Sequence, residues 1–346
     1  MAHAKQVPVG IIGAGRIGRV HAEHLAFRIP QARLVAIADV SRDAAQACAT
    51  ANQVDAVYQD YHAILADDAV VAVVICSSTQ SHAAIIAEAA AAGKHIFCEK
   101  PIDIDLASVD EALAAVRTAG VKLQVGFNRR FDPNFSRIHE AVSCGEIGEP
   151  HLLHIISRDP APPPMNYLRD SGGLFLDMTI HDFDMARYLI GSEVKSVFAV
   201  GAVRIDPRIA RAGDVDTAVI TLEFDSGVLG TIENSRQAVY GYDQRVEVFG
   251  SKGMIHSENM TSQRTILSNG KGVHSASALN FFVARYAESY LAEMRAFLAC
   301  IQEDTDPPVT GADARVPLIM GLAALRSMQQ HRPVPLAEID LRESDL

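Results

Sequence analysis

Apolar residues in the first third of the chain fall into short continuous runs rather than alternating with polar ones. Residues 7–12, 33–38, 71–76, 95–98 and 121–126 are such runs, rich in Val, Ile and Phe. Between them, 17–27, 42–51, 81–92 and 106–118 carry helical patterning, and Gly93 and Gly120 stand where helices should stop. Strands that are apolar throughout, separated by helices, predict a parallel sheet covered on both faces, a doubly wound α/β domain. The pattern changes after Gly126. Residues 146–150 read as a turn-rich joint, 151–158 as a strand, and Pro160 with Pro162, Pro163 and Pro164 as a loop, because proline continues neither a helix nor a central strand. Residues 172–190 read as one helix closed by Gly191. The segments 194–205, 215–224, 228–235 and 245–249 follow as strands, with a hairpin turn at Asp225-Ser226-Gly227. Strands in succession with short turns predict a large open, mainly antiparallel sheet in an α+β second domain. Helices at about 284–303 and 312–330 finish the chain.

Composition narrows the class. A chain of 346 residues provides for about two domains. Its 42 acidic against 31 basic side chains, a formal net charge of -11, exclude a general nucleic-acid binder, which needs basic surface to neutralise phosphates. There is no apolar run of the roughly 20 residues that would span a bilayer. The first residues lack the charged and apolar regions of a signal peptide. Cys48, Cys76, Cys98, Cys144 and Cys300 are odd in number and widely spaced, which fits a reducing cytoplasm and disfavours a disulfide framework or a zinc site.

The chemistry-bearing residues begin with Gly13-Ala14-Gly15-Arg16-Ile17-Gly18, directly after the first strand and opening the first helix. In a dinucleotide site the first glycine permits the turn, the second lets backbone approach a pyrophosphate, and the third lets helix pack closely on strand. The helix N-terminus adds oriented N–H groups for the phosphates. An acid should follow about 20 residues on, at the end of the second strand, and Asp39 stands there, followed by Val40. A carboxylate accepts from the ribose hydroxyls of NAD and repels the 2′-phosphate of NADP. Arg42 leaves a second option open, since an arginine there can hold that phosphate or simply be a solvated charge at a helix start. Cys76-Ser77-Ser78-Thr79 leaves the carboxyl end of a strand and leads to His82, where open α/β sheets bind ligands. Ser78 or Thr79 could equally cap the helix, with His82 packing locally.

Glu99-Lys100-Pro101 also follows the carboxyl end of a strand, a position from which a lysine can orient a reacting hydroxyl or polarise a carbonyl. Asp177 and His181 stand four apart, which on one helix places them on one face, and Asp184 continues the stripe. An acid beside an imidazole orients the ring and stabilises its protonated form, as a general base near neutral pH requires. The same spacing suits an exposed ion pair. It also suits a zinc site, for which no convincing third ligand follows, so no metal is expected.

The glycine fingerprint, Gly93-Lys94-His95-Ile96-Phe97-Cys98-Glu99-Lys100-Pro101, Gly126-Phe127-Asn128-Arg129-Arg130-Phe131-Asp132 and the Asp177/His181 segment resemble the Gfo/Idh/MocA oxidoreductase family over nearly the whole chain, with no motif residue replaced. Within it, 172–187 and 241–250 are most similar to inositol 2-dehydrogenases. The resemblance implies a Rossmann domain over 1–126 and a substrate-binding and oligomerisation domain over 127–346, with room for the C-terminal helices to pack back on the first. It implies a catalytic trio of Lys100, Asp177 and His181, with His181 as general base, Asp177 tuning it and Lys100 positioning the hydroxyl. NAD is the implied cofactor, with contacts at Gly13, Gly15, Arg16, Ile17, Gly18, Asp39, Val40, Arg42, Ser77, Thr79, His82, Glu99, Lys100 and Arg130. Substrate contacts would come from Lys100, Arg130, Asp177, His181 and Tyr240. The implied reaction is oxidation of one secondary hydroxyl of a cyclic polyol, myo-inositol to its 2-keto product, by a cytoplasmic homotetramer packed through the open sheet. The Lys-Pro peptide is often cis in the family. A dehydrogenase of another inositol isomer or sugar, and an NAD-sensing regulator on the same fold, remain open beside this reading.

Overall fold

A computed structural model describes residues 6–340, which divide into two compact units. The first runs up to Asn128 and takes in Glu288–Val316; the second comprises Arg129–Ala287 and the chain from Pro317 onward. The chain leaves the first unit, builds the second, and returns to the first for 29 residues (288 to 316 inclusive).

The first unit is built on six parallel strands: β1 Val7–Ile12, β2 Ala32–Ala38, β3 Ala56–Tyr58, β4 Ala72–Ile75, β5 His95–Cys98 and β6 Leu123–Val125. They lie in the order β3-β2-β1-β4-β5-β6, so the direction of winding reverses between β1 and β4. The parallel sheet expected from the apolar runs is present, with β3 as an additional edge strand whose three half-buried residues gave no apolar run. Between the strands run the α-helices α1 Arg16–Glu23, α2 Arg42–Asn52, α3 His62–Leu65, α4 Thr79–Ala91 and α5 Leu106–Ala119. Local chemistry sets their ends. Ser41 Oγ accepts from Ala44 N–H at the start of α2, Asp105 caps α5, and Gly120 closes α5 in the left-handed region. Val9, Ile11, Ile37, Val74 and Phe97 are fully buried in a core that also holds Leu291, Met294 and Phe297 from the returning segment.

The second unit opens with α6 Pro133–Ser143, a helix the sequence reading left out although Asp132 caps it and Pro133 starts it. Its main sheet comprises β7 Pro150–Arg158, β8 Val194–Ala202, β9 Thr217–Phe224, β10 Leu229–Ser235, β11 Asp243–Gly250, β12 Gly253–Ser257 and, later in the chain, Val334–Pro335. The order is β12-β11-β7-β10-β9-β8 and then Val334–Pro335; β7 and β10 pair in parallel, all other neighbours antiparallel. The hairpin at Asp225–Gly227 forms, with Gly227 in the left-handed region. One face of this sheet is buried, while the other exposes Leu152, Val219, Leu229 and Phe249 among polar side chains.

One prediction needs correction. The stretch read as a single helix over 172–190 is two, α8 Gly173–Asp177 and α9 Thr179–Ile190, following the short α7 Met165–Asp170. Met178 interrupts them, and His181 N–H bonds back to Met178 O. Asp177 thus ends one helix and His181 lies in the first turn of the next, so the simple face-sharing argument does not apply.

Candidate active site

In the first unit, each fingerprint glycine has a distinct physical reason. Gly13 sits at φ +101°, and a Cβ there would lie 2.5 Å from the Cys76 backbone; a Cβ on Gly18 would lie 1.9 Å from Gly13 O. Gly15, by contrast, faces open space with no atom within 4 Å of where a Cβ would be. That clear approach, directly before Arg16 and Ile17 at the start of α1, fits a bound pyrophosphate. Asp39 lies half-buried at the end of β2, its carboxylate accepting from Ala14 N–H and Ser41 N–H at 2.7 and 2.8 Å. Val40 and Arg42 are exposed beside it.

Ser77 and Thr79 lie after β4, and Ser77 shares a 2.7 Å hydrogen bond with Ser81. Ser78 occupies the N-cap of α4 without a side-chain hydrogen bond there, so it is not the cap that the simpler reading allowed. His82 is buried, and its two ring nitrogens face Pro101 O at 2.8 Å and Ser77 O at 3.0 Å. The Lys100–Pro101 peptide is cis. Lys100 is half-buried, and the carboxylate of neighbouring Glu99 pairs with His21 at 2.9 Å. Glu99, expected beside the cofactor, therefore has a protein partner that the motif did not announce. Glu293 completes a buried group with them. Its carboxyl lies 4.0 Å from His21, and burial, reinforced by the Glu99 charge, pushes its pKa well above the usual carboxylate range.

In the second unit, Asp177 is held at both oxygens. Tyr167 donates to Oδ1 at 2.8 Å and the buried Arg236 to Oδ2 at 3.3 Å. Arg236 also approaches Asp214 at 3.8 Å, whose other oxygen accepts from Leu174 N–H at the start of α8. Gly173 makes this possible, since at φ +81° a Cβ would lie 2.8 Å from Asp214 Oδ1. Asp159 belongs to the same electrostatic group. Burial raises its carboxyl to about 6 against the pull of Arg236, and the Asp177 charge adds to the rise. His181 is half-buried, between the fully buried Ile180 and Asp182.

Asp182 anchors α9 from beneath, accepting from Arg129 at 2.5 Å and from Asn234 of β10 at 2.8 Å, while Asn234 also meets Thr179. Arg130, expected at cofactor and substrate, forks onto Asp184 at 2.6 and 2.9 Å. The Asp184 that continued the stripe thus serves as that fork's acceptor. Tyr240, expected in the pocket, is exposed; it donates to Asp243 at 2.6 Å and accepts from Arg158 at 2.9 Å. Tyr167, Arg236 and Asp159 escaped the sequence reading because none lies in a motif; they converge from separate elements.

Residues 7–127 match the family described as an oxidoreductase family with an NAD-binding Rossmann fold, and residues 135–256 match the GFO/IDH/MocA C-terminal domain. The chain is 50% identical to a myo-inositol 2-dehydrogenase of Thermotoga maritima, over 96% of this chain and 99% of that one. It is 45% identical to an inositol 2-dehydrogenase of Rhizobium meliloti, again over 96% and 99%. Among solved structures, a scyllo-inositol dehydrogenase from Lactobacillus casei with bound NAD(H) and scyllo-inositol superposes with a TM-score of 0.90 at 30% identity, covering 96% of this chain and 100% of that one. Among the described residues, no helix is long and apolar enough to cross a membrane.

Proposed function

Because this chain belongs to the Gfo/Idh/MocA oxidoreductase family, we propose that it oxidises one secondary hydroxyl of a cyclic polyol with NAD, converting myo-inositol to its 2-keto product. The observation that carries this reading is end-to-end likeness, at half identity, to a protein described as a myo-inositol 2-dehydrogenase. The chain's own residues support it. The open approach at Gly15 and the Asp39 carboxylate suit NAD. Around Asp177, three carboxyl groups (Asp159, Asp177 and Asp214) surround one guanidinium, offering acceptors to a neutral polyhydroxylated ligand and little to an anion.

Bound NAD supplies the hydride acceptor at nicotinamide C4. His181 takes the hydroxyl proton as the C–H bond breaks, and Asp177, held in place by Tyr167 and Arg236, stabilises the resulting imidazolium. Lys100 orients the hydroxyl and polarises the carbonyl that replaces it. In this reading Arg16, Ile17, Val40, Arg42, Ser77 and Thr79 lie along the cofactor. Arg130, Glu99 and His82 would act through the protein groups that hold them, Asp184, His21 and the Pro101 and Ser77 carbonyls. The enzyme works in the cytoplasm, which its five free cysteines support. It assembles as a homotetramer through the open sheet, supported by the exposed apolar row on that face.

The test is NADH formation, followed by absorbance, with a panel of inositol isomers and sugars and with NAD or NADP. Turnover with NAD and myo-inositol above every other polyol is expected. A preference for scyllo-inositol or a sugar would move the substrate assignment. Tight NAD binding with no turnover on any polyol would overturn catalysis in favour of a sensor.

A further inference from the structure

Lys100 lies between two residues in the chain, Glu99 and Pro101, each of which meets a buried imidazole. On one side His21, wholly buried on α1, grips the Glu99 carboxylate at 2.9 Å, with the edges of Phe97 and Tyr290 packed around the ring. On the other side His82, buried on α4, meets the Pro101 carbonyl at 2.8 Å through Nδ1. Its second nitrogen meets the Ser77 carbonyl at 3.0 Å. Carbonyl oxygens only accept, so His82 donates to whichever carbonyl its proton faces, and to both when the ring carries two protons. One side chain thus spans the loop after β4 and the turn after β5. Glu99 N–H is bonded to Ile75 O, which ties the same turn to the end of β4.

Resting on the role proposed above for Lys100, we infer that His82 is a positioning residue that sets two things separately: the Lys100 turn through Pro101 O, and the cofactor-side loop through Ser77 O. His21, through Glu99, is the second jaw of the clamp on Lys100. A side chain so placed never needs to touch substrate. Its effect is felt because a displacement of about 1 Å at a reacting group costs on the order of 100-fold in rate.

The two contacts can be separated by substitution, since an Asn amide nitrogen reaches about as far as Nδ1 and a Gln amide nitrogen about as far as Nε2. His82→Gln places its amide donor toward Ser77 O and none toward Pro101 O. His82→Asn does the reverse. The expected result is a crossed pattern. His82→Gln loses kcat with myo-inositol by on the order of 100-fold while its NAD Kd, measured by calorimetry without substrate, stays near wild type. His82→Asn weakens NAD binding and loses far less kcat at saturating NAD. A merely structural histidine moves both quantities together in both variants, and that outcome, or no change in either, overturns the inference. Lys100→Met is measured alongside. If it turns over normally, the role of Lys100 itself fails. If it is inactive while the two His82 variants behave alike, the clamp alone fails.

Discussion

The Asp39 carboxylate accepts a hydrogen bond from the backbone N–H of Ala14 at 2.7 Å, so the residue proposed to read the ribose also braces the glycine turn. Its second oxygen holds Ser41 N–H, the start of α2. Replacing it therefore affects both the turn and the cofactor. Asp39→Ala should weaken NAD binding by about 10- to 100-fold, the worth of a charge-assisted hydrogen bond. It should also narrow the preference for NAD over NADP, because the repulsion of a 2′-phosphate goes with the carboxylate. Titration of both cofactors checks this; an undiminished NAD preference would contradict the role given to Asp39.

His181→Ala should lower kcat by about 10²- to 10⁴-fold, the range for removing a general base, with NAD affinity unchanged. Steady-state kinetics with myo-inositol, paired with calorimetric NAD binding, separates the two effects. Ordinary turnover in this variant would sink the assignment of the base.

Arg236→Met leaves Asp177 and Asp214 without their shared buried cation. Breaking a buried pair from one side costs about 3–5 kcal/mol, so the urea midpoint should fall, and kcat should fall with it because Asp177 loses the Arg236 anchor. NAD binding should be untouched. Unaltered kcat in a destabilised variant would show that Arg236 serves the fold and not the site.

Stability should weaken in acid through His24. Burial, helped by the charges of His21, Arg28 and Arg295, lowers its pKa from 6.5 to about 4. Between those values the unfolded chain binds a proton that the folded chain refuses, so the stability present above pH 6.5 is lost as pH falls toward about 4. The depression corresponds to about 3 kcal/mol. His24→Gln, which does not titrate, should flatten that part of a Tm-against-pH curve; an unchanged slope would point to other groups.

Leu152→Glu places a charge in the middle of the exposed apolar row, opposite Leu229 on one neighbouring strand and Phe249 on the other. If the open sheet is the assembly surface, sedimentation should show smaller species while circular dichroism stays native. An unchanged oligomer would exclude this face.

Much of the first unit was legible because its signals are local. Continuous apolar runs mark strands covered on both faces, glycines mark turns that no side chain allows, and the acid after β2 sits at a spacing set by one βαβ unit. The capping signal of α6, Asp132-Pro133, is equally local. The break at Met178 carried no such mark. No proline or glycine marks the break, and a helix interrupted at one residue keeps the composition of one that is not.

By itself, then, the sequence determined the parallel sheet, the dinucleotide fingerprint and the candidates Lys100, Asp177 and His181, since each is encoded within a few neighbouring residues. Tertiary structure decided what those candidates lean on: His21 against Glu99, His82 against Pro101 and Ser77, Tyr167 and Arg236 against Asp177. These partners lie 5 to 78 positions apart in the chain. Their meeting depends on how buried elements pack, and burial makes each such contact costly to leave unmade. No local pattern records that constraint.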